Sequence, residues 1–341
     1  MARAQWGVAN AGVKTAAGRP NPTLSITPGY NFNAASGLSP WFPGVTFDVP
    51  IETAGKRGTR ITRAEYLAEA ARHNVTTIAW QVRSNLRKAL IDLTTAERRR
   101  GVLREQVEVQ QRIAELVEQR RRAGAASIVE VAAIRVALTK LQSDEADAQR
   151  QTADARNRLA EALGLPVAAL DDVQFISPLE PASNLDALPD KAEARRLALR
   201  QRSDIRAVLA DYEASQAALQ LEVAKQYPDL YLGSGYQWDQ GDHKWNLALT
   251  LELPILTRNE GPIAEAEARR EETAAQLLAL QAKVITEIDR AAAALSTTAE
   301  QLHRLRQIHQ ALGDQLRNVQ ARLSAGGADQ LELQNAKLEV G

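Results

Sequence analysis

Apolar and polar side chains alternate along four short stretches of the chain. In residues 22–32, PTLSITPGYNF, mostly polar residues separate the apolar positions Leu24, Ile26, Tyr30 and Phe32. Residues 44–51, 228–238 and 244–254 repeat this alternation. Because successive side chains of a strand point to opposite faces, each stretch predicts a strand with one apolar and one polar face.

After each pair of strands in the sequence, apolar residues recur at seven-residue spacing, which predicts coiled-coil packing of long helices. One seam contains Val82, Leu86, Ala89, Leu93, Ala96, Leu103, Val107, Ala114 and Val117. The other contains Val284, Ile288, Ala291, Leu295, Leu302, Leu305, Leu312, Leu316, Val319 and Leu323.

Each long helix is predicted to end at a glycine-containing turn, RRRAGAAS at 120–127 or RLSAGGAD at 322–329. Gly124 and Gly326 come just after the helix end, where a left-handed backbone is common. Ser127 and Asp329 are placed to accept hydrogen bonds from the first turn of the next helix. The pattern therefore predicts two helical hairpins.

The two halves of the chain are copies of one another. Residues 61–131 match residues 263–333 at a constant offset of 202, with Val82 aligned to Val284 and Gly124 to Gly326. Internal repetition of this kind indicates a repeated structural unit. We therefore predict the same order of elements in each copy: two strands, a long helix and a returning helix.

The duplication gives the predicted domain boundaries: a first repeat at 1–162, a proline-rich connector at 163–202 and a second repeat at 203–341. The first repeat contains a strand hairpin at 22–51 and a helical hairpin at 55–162. The second contains a return helix at 203–226, a strand hairpin at 228–254 and a helical hairpin at 259–341. The predicted fold class is mainly α with a small β part.

The composition favours long helices over a compact enzyme. Of 341 residues, 45% are hydrophobic but only 4% are aromatic, and 42 Lys and Arg balance 42 Asp and Glu. A zero net charge gives no support to a nucleic-acid partner. The lack of cysteine excludes disulfides, thiolate metal sites and a cysteine nucleophile.

Catalysis has no support in the sequence. The histidines His73, His243, His303 and His309 are scattered, and the last two lack the three- or four-residue spacing of a helical metal site. Neither a phosphate loop nor a nucleophile elbow is present. We expect no enzyme activity, no cofactor and no metal centre.

Three details favour a membrane setting for the strands over an ordinary half-buried sheet. A tilted membrane strand needs about 9–11 residues, which matches the predicted lengths. Nine of the fifteen aromatic residues fall in the two strand hairpins, as in an interfacial girdle. Four strands cannot close a barrel, and lipid does not tolerate an open edge, so several chains would share one barrel.

Two copies of a strand hairpin and a long helical hairpin, joined by a proline-rich middle, resemble the TolC-like outer membrane factors, the exit ducts of tripartite efflux pumps. PNPTLSITPGY and YPDLYLGSGY are similar to the starts of that family's first and third strands. LRQRSDIRAVLADYEASQAAL resembles its Arg-Pro-Asp helix start, except that Ser203 replaces the proline. Serine is a good N-cap residue.

One stretch, FDVPIETAGKRGTRITRAE, is similar to the heavy-metal branch of the CzcC and CusC type, in which glycine, lysine and arginine follow the second strand. Lys56 and Arg57 could equally be cations at the membrane boundary.

The resemblance implies a homotrimer in which four strands from each copy build one barrel of twelve, continued by the helices as a periplasmic tunnel. On the strands it implies lipid-facing Leu24, Ile26, Leu249 and Leu251, and lumen-facing Asp48 and Glu252. At the tips it implies docking of a periplasmic adaptor on Arg322, Leu323, Ser324 and Gly326, and more loosely on Arg120 and Gly124.

The implied function is passive conduction, through the outer membrane, of substrate expelled by an inner-membrane RND-type transporter, with divalent heavy-metal cations as the expected cargo. A drug or type I secretion duct is the alternative within transport. A soluble coiled-coil scaffold or adaptor is the alternative outside it. The first residues lack a signal-peptide pattern, and both ends resemble interrupted helices, so we expect the sequence to be cut at each end.

Overall fold

The computed structural model describes residues 1–171, 173, 175 and 190–340. Its helices are α1 (Ala2–Ala17), α2 (Lys56–Arg122), α3 (Ile128–Leu163), α4 (Lys191–Gln201), α5 (Ser203–Ala224), α6 (Glu260–Ser324) and α7 (Gln330–Val340). Its strands are β1 (Thr23–Thr27), β2 (Gly44–Ile51), β3 (Leu230–Asp239) and β4 (Asp242–Leu251). The predicted fold class, mainly helical with a small sheet, is confirmed.

The four strands form one antiparallel sheet in the order β1-β2-β3-β4. The central pairing joins the two repeats, because β2 lies beside β3 with Val49 opposite Leu232. The outer edges of β1 and β4 have no strand partner within the described chain. The sheet is therefore open at both edges.

The first strand is shorter than the sequence pattern predicts. We expected it to run to Phe32, but β1 ends at Thr27, since Pro28 has no N–H to continue the ladder. A β-carbon on Gly29 would lie 2.1 Å from the ring of Phe42, so that ring packs directly on the glycine backbone. Beyond it an isolated bridge pairs Tyr30 with Trp41.

The long helices bury much of the predicted seam in the first helical hairpin. Leu93 is 2% exposed and packs in a cluster with Ala155, Leu159 and Leu170. Nearer the tip, Ile113, Val117 and Val131 form a second cluster. The predicted seam position Val82 is instead 54% exposed.

The chain forms two compact units. One contains residues 1–78 and 190–288, and the other contains the described residues of 79–189 and 289–341. These units cut across both repeats, so the repeat boundaries given above stay a prediction. Part of the predicted connector, residues 172, 174 and 176–189, lies outside the described residues.

Ser203 does not act as the N-cap that the sequence suggested. It is the first residue of α5, and Arg202 precedes it without a side-chain cap bond. The Ser203 hydroxyl lies 2.7 Å from the Thr77 hydroxyl on α2. Arg202 instead pairs with Asp204 and with Glu287 on α6, at 2.7 and 3.0 Å.

Candidate functional site

One face of the sheet is apolar across all four strands. The pairing aligns Leu24, Phe47, Ser234 and Leu247 in one row and Ile26, Val45, Tyr236 and Trp245 in the next. The predicted lipid-facing residues Leu24, Ile26, Leu249 and Leu251 all lie on this face. Its side chains are bare: Ile26 is 70% exposed and Leu247 is 76% exposed.

The opposite face of the sheet is polar, and glycines let neighbouring side chains lie flat on it. A β-carbon on Gly233 would lie 2.4 Å from Asp48 Oδ1, and one on Gly235 would lie 2.1 Å from Asn246 Oδ1. Asp48 therefore sits on the predicted polar face. Glu252 falls just after β4, which ends at Leu251, so it lies outside the sheet rather than on a strand.

A partly buried ion pair joins the start of α2 to the residue that precedes β3. Lys56, only 7% exposed, donates to Asp229 Oδ1 at 2.7 Å and to the Tyr227 carbonyl at 2.6 Å. The Thr53 N–H donates to the same carboxylate at 2.9 Å. Burial favours a raised pKa for Asp229, but the hydrogen bonds from Lys56 and Thr53 outweigh it and lower the pKa.

Two arginines cap the end of α1. Arg57 Nε donates to the Ala17 carbonyl at 2.9 Å, and Arg60 Nε donates to the Ala16 carbonyl at the same distance. Cations are favoured at a helix C-terminus, where carbonyls lack partners. Lys56 and Arg57 therefore both hydrogen-bond to other segments of the same chain. Sequence reasoning missed the partners of Lys56 because Tyr227 and Asp229 lie in the other repeat.

A cavity of 710 Å³ lies beside this junction. Its lining includes carboxylates and cations together, among them Glu52, Lys56, Arg60, Glu252 and Arg258. None of the described residues forms a group of three or more acidic or histidine side chains that could hold a metal ion. No described helix is both long and apolar enough to cross a membrane.

The two helix tips share one backbone design. Gly124 and Gly326 have φ values of 77° and 75°, in the left-handed region. The next N–H, of Ala125 or Gly327, reaches back to the carbonyl of Arg120 or Arg322 at 2.7 or 2.8 Å. This is the Schellman arrangement that closes a helix C-terminus.

The predicted caps of the returning helices are confirmed. Ser127 Oγ accepts the N–H of Glu130 at 3.1 Å, and Asp329 Oδ1 accepts that of Glu332 at 2.9 Å. In the first tip the Glu130 carboxylate completes a capping box by accepting the Ser127 N–H.

The predicted docking residues make different contacts in the two tips. Arg120 forms an ion pair with Asp329, which links the first hairpin to the start of α7. Arg322 pairs with Glu332 of its own hairpin at 2.7 Å. Leu323 packs against the cluster of Val319, Leu333 and Ala336, and the Ser324 hydroxyl donates to the Ala321 carbonyl at 2.8 Å.

The first tip also holds a basic cluster that sequence reasoning missed. Glu118 accepts three hydrogen bonds from Arg121, the shortest at 2.7 Å, and lies within 3.7 Å of Arg122 and Arg135. The hydrogen bonds from Arg121 lower the pKa of Glu118 to about 2. Three guanidinium groups thus share one carboxylate. The run RRR at 120–122 was the available signal.

The sequence model of the outer membrane efflux protein family matches residues 1–165 and 194–340. The chain belongs to this family. The resemblance to TolC-like outer membrane factors that the sequence motifs indicated is thereby confirmed.

Among curated proteins, the chain is similar in sequence to the cobalt-zinc-cadmium resistance protein CzcC of Cupriavidus metallidurans. It is 27% identical over 224 residues, which are 64% of this chain and 51% of that protein. The family member described here thus spans about half the length of the curated relative it matches.

Solved structures of similar fold include the outer membrane protein VceC of Vibrio cholerae, with a TM-score of 0.78 and 19% identity over 100% of this chain and 85% of that one. CusC gives a TM-score of 0.73 and 18% identity over 100% of this chain and 82% of that one. At this level of identity the likeness concerns the fold.

Proposed function

We propose that the protein is the outer membrane channel of a tripartite efflux pump. The observation that carries this proposal is the bare apolar face of the sheet, on which Leu249 is 61% and Trp245 79% exposed. Monomeric soluble proteins rarely expose apolar patches of this extent. A lipid environment makes such a face stable, and membership of the outer membrane efflux protein family supports that environment.

Three copies complete the channel in this proposal. The free edges of β1 and β4 leave unpaired backbone groups, which cannot stay open in lipid. Pairing β4 of one copy with β1 of the next closes a barrel of twelve strands. The strands then cross the outer membrane, and the helices extend into the periplasm. Leu24, Ile26, Leu249 and Leu251 face lipid in this arrangement.

Conduction in this channel is passive, and no bond is made or broken. The polar sheet face becomes the wall of a water-filled lumen, with Asp48 on it and Glu252 at the end of β4. An inner-membrane RND-type transporter supplies the energy. A periplasmic adaptor docks at the tips, on Arg120, Gly124, Arg322, Leu323, Ser324 and Gly326.

The proposed cargo is divalent heavy-metal cations. Support comes from the match to a protein named for cobalt, zinc and cadmium resistance. The test is growth of a deletion strain, with and without the gene, on zinc, cobalt, cadmium and copper and on a panel of dyes and detergents. Sensitivity confined to metals is the expected result, whereas sensitivity to dyes alone would indicate a general drug duct.

Channel formation itself is tested by adding detergent-purified protein to planar lipid bilayers and measuring stepwise conductance. We expect steps of uniform size and an oligomer in native mass spectrometry. A protein that stays in the aqueous phase without detergent and gives no conductance would instead be the soluble scaffold.

A bulky residue at position 326 tests docking. Gly326→Leu places a non-glycine residue in the left-handed region of the backbone, which costs about 1–2 kcal/mol locally. The added leucine side chain also projects from the tip. We expect efflux to fall while oligomer level and bilayer conductance stay normal. Gly327→Ala is the control, since its added carbon meets the Arg322 carbonyl only at 3.6 Å. Unchanged efflux in Gly326→Leu would contradict docking at this tip.

A further inference from the structure

The two strand hairpins differ in charge at the ends that lie away from the helices. Residues 20–47 include β1, the connection to β2 and most of β2, and they contain no acidic, basic or histidine side chain. The second hairpin has a short turn between β3 and β4 and carries Asp239, Asp242 and Lys244 around it. The long uncharged connection is therefore a feature of the first hairpin alone.

Three aromatic rings form a cluster in this connection. The bridge between Tyr30 and Trp41 keeps the register of β1 and β2, so both rings continue the apolar face of the sheet. Tyr30 meets Trp41 and Phe32 edge to face, with ring centroids 5.0 and 5.1 Å apart. Each ring thus has a defined orientation relative to its neighbour.

Backbone hydrogen bonds hold the cluster in place. The Asn31 N–H donates to the Pro40 carbonyl at 2.7 Å, and the Phe42 N–H donates to the Gly29 carbonyl at 2.8 Å. These two bonds flank the bridged pair of aromatic residues on either side. Because the rings are already ordered, a ligand that binds them loses little affinity to ordering of the loop.

The cluster presents aromatic surface beside neutral polar groups. Phe32 is 90% exposed and Trp41 is 55% exposed. Asn31, Asn33 and Ser39 of the same connection carry amide and hydroxyl groups, which both donate and accept hydrogen bonds. The negative face of an aromatic ring attracts the positive hydrogens of C–H bonds. This combination suits a sugar, which has C–H groups on the faces of its ring and hydroxyl groups around it.

We propose that the cluster of Tyr30, Phe32 and Trp41 binds a sugar ring of a glycolipid in the outer leaflet of the outer membrane. The inference rests on the proposed position of the sheet in that membrane. There the connection between β1 and β2 lies at the end of the strands opposite to the periplasmic helices.

The position of the cluster favours a glycolipid over a free sugar. The three rings lie on the same sheet face as Leu24 and Ile26, which face lipid in the proposed channel. A sugar bound at the cluster can therefore be attached to acyl chains that pack against those side chains.

The lack of charge determines which part of the glycolipid is recognised. Phosphate groups form their strongest hydrogen bonds with Arg and Lys, and residues 20–47 contain neither. Binding through the sugar should therefore persist at 1 M salt, where the Debye length is about 3 Å and exposed charges are screened.

Substitutions at Phe32 separate stacking on a sugar from ordinary contact with lipid. Phe32→Leu keeps an apolar side chain and removes the ring, whereas Phe32→Trp keeps a ring. The detergent-purified oligomer is titrated with short-chain lipopolysaccharide or with phosphatidylglycerol, and bound lipid is measured by native mass spectrometry. We expect Phe32→Leu to weaken lipopolysaccharide binding about two- to tenfold. Phe32→Trp should bind it as the parent does, and phosphatidylglycerol binding should be the same in all three.

The matched control is Trp245→Leu. Trp245 is 79% exposed on the same sheet face but belongs to the second hairpin, beside its charged turn. Loss of this ring should leave the affinity for lipopolysaccharide at the value of the parent.

Three results would overturn the inference. Equal lipopolysaccharide affinity in the parent and Phe32→Leu would mean that the ring does not stack on the sugar. Loss of binding by the parent at 1 M salt would assign the contact to phosphate groups. Equal affinity for the free oligosaccharide released from the same lipopolysaccharide would make a soluble sugar the ligand.

Different failures separate this inference from the proposed function. Normal bilayer conductance, with no preference of the parent for lipopolysaccharide over phosphatidylglycerol, would overturn the sugar site alone. A protein that is one copy by native mass and gives no conductance would overturn both.

Discussion

The sheet and the first helical hairpin differ in how far their apolar side chains are exposed. In the hairpin, Leu93 and Ile113 are 2% and 1% exposed, enclosed by side chains of the same chain. In the sheet, Leu24 and Leu249 stand on a regular apolar face and are 63% and 61% exposed. The chain thus covers the apolar residues of its first helical hairpin with its own side chains, whereas it leaves the apolar face of its sheet exposed.

The difference shows why alternation alone cannot distinguish a soluble sheet from a membrane one. Both kinds of sheet have an apolar and a polar face, and only the covering material differs. In this protein α2 and α3 bury much of the first seam, whereas Leu295, Leu302 and Leu305 of the second seam are 42%, 41% and 62% exposed. The sheet face receives no cover like that of the first seam from the described residues. The bare face, more than the pattern that produces it, therefore supports the membrane assignment.

Truncation in the helical seam should give the largest effect. Leu93→Ala leaves a cavity among Ala155, Leu159 and Leu170, and we expect a loss of about 2–5 kcal/mol in the free energy of unfolding. The measurement is denaturant unfolding in detergent, monitored by the circular dichroism signal of the helices. Ile91→Ala, at a 39% exposed position of the same helix, is the control and should cost less than Leu93→Ala, because part of its side chain already lies in solvent. Equal effects would mean that the seam is not the core of this hairpin.

A charge on the bare sheet face comes next. Leu249→Arg places a cation at lipid depth, which costs about 2–4 kcal/mol per site at the bilayer midplane, so assembly in the outer membrane should fail. Thr250→Arg tests the neighbouring position on the polar face and should assemble. The measurement is the amount of oligomer in the outer membrane fraction. If Leu249→Arg assembled normally, the apolar face of the sheet would not face lipid.

The charge pair at the tips should give the smallest effect. Asp329→Asn keeps a good N-cap but removes the partner of Arg120, and an exposed pair of this kind contributes less than about 1 kcal/mol. The hydrogen bond from the Glu332 N–H and that from Arg120 lower the pKa of Asp329 below its ordinary value of 3.8.

A lowered pKa fixes the sign of the pH dependence. The contribution of Asp329 is complete above pH 3.8 and is lost as the pH falls through the lower pKa of the folded protein. The parent and the Asp329→Asn variant should therefore differ in unfolding free energy at pH 7 and converge in strong acid. A difference that is constant with pH would show that the carboxylate charge is not its source.

Local order in this protein follows directly from the sequence. Alternation placed Leu24 and Asp48 on opposite faces of the strands, and Gly124 and Gly326 marked the helix ends. These signals act over a few residues, because side-chain direction and left-handed turns depend on the local backbone. The duplication extended them to both halves of the chain.

Contacts between distant segments were decided only by the tertiary structure. The pairing of β2 with β3 and the burial of Lys56 against Asp229 join the two repeats. The shortening of β1 depends on Pro28 and on the packing of Phe42 over Gly29. Burial and hydrogen-bond partners belong to pairs of residues far apart in the chain. A pattern within one segment specifies which face is apolar, while the neighbouring segments decide whether that face is covered.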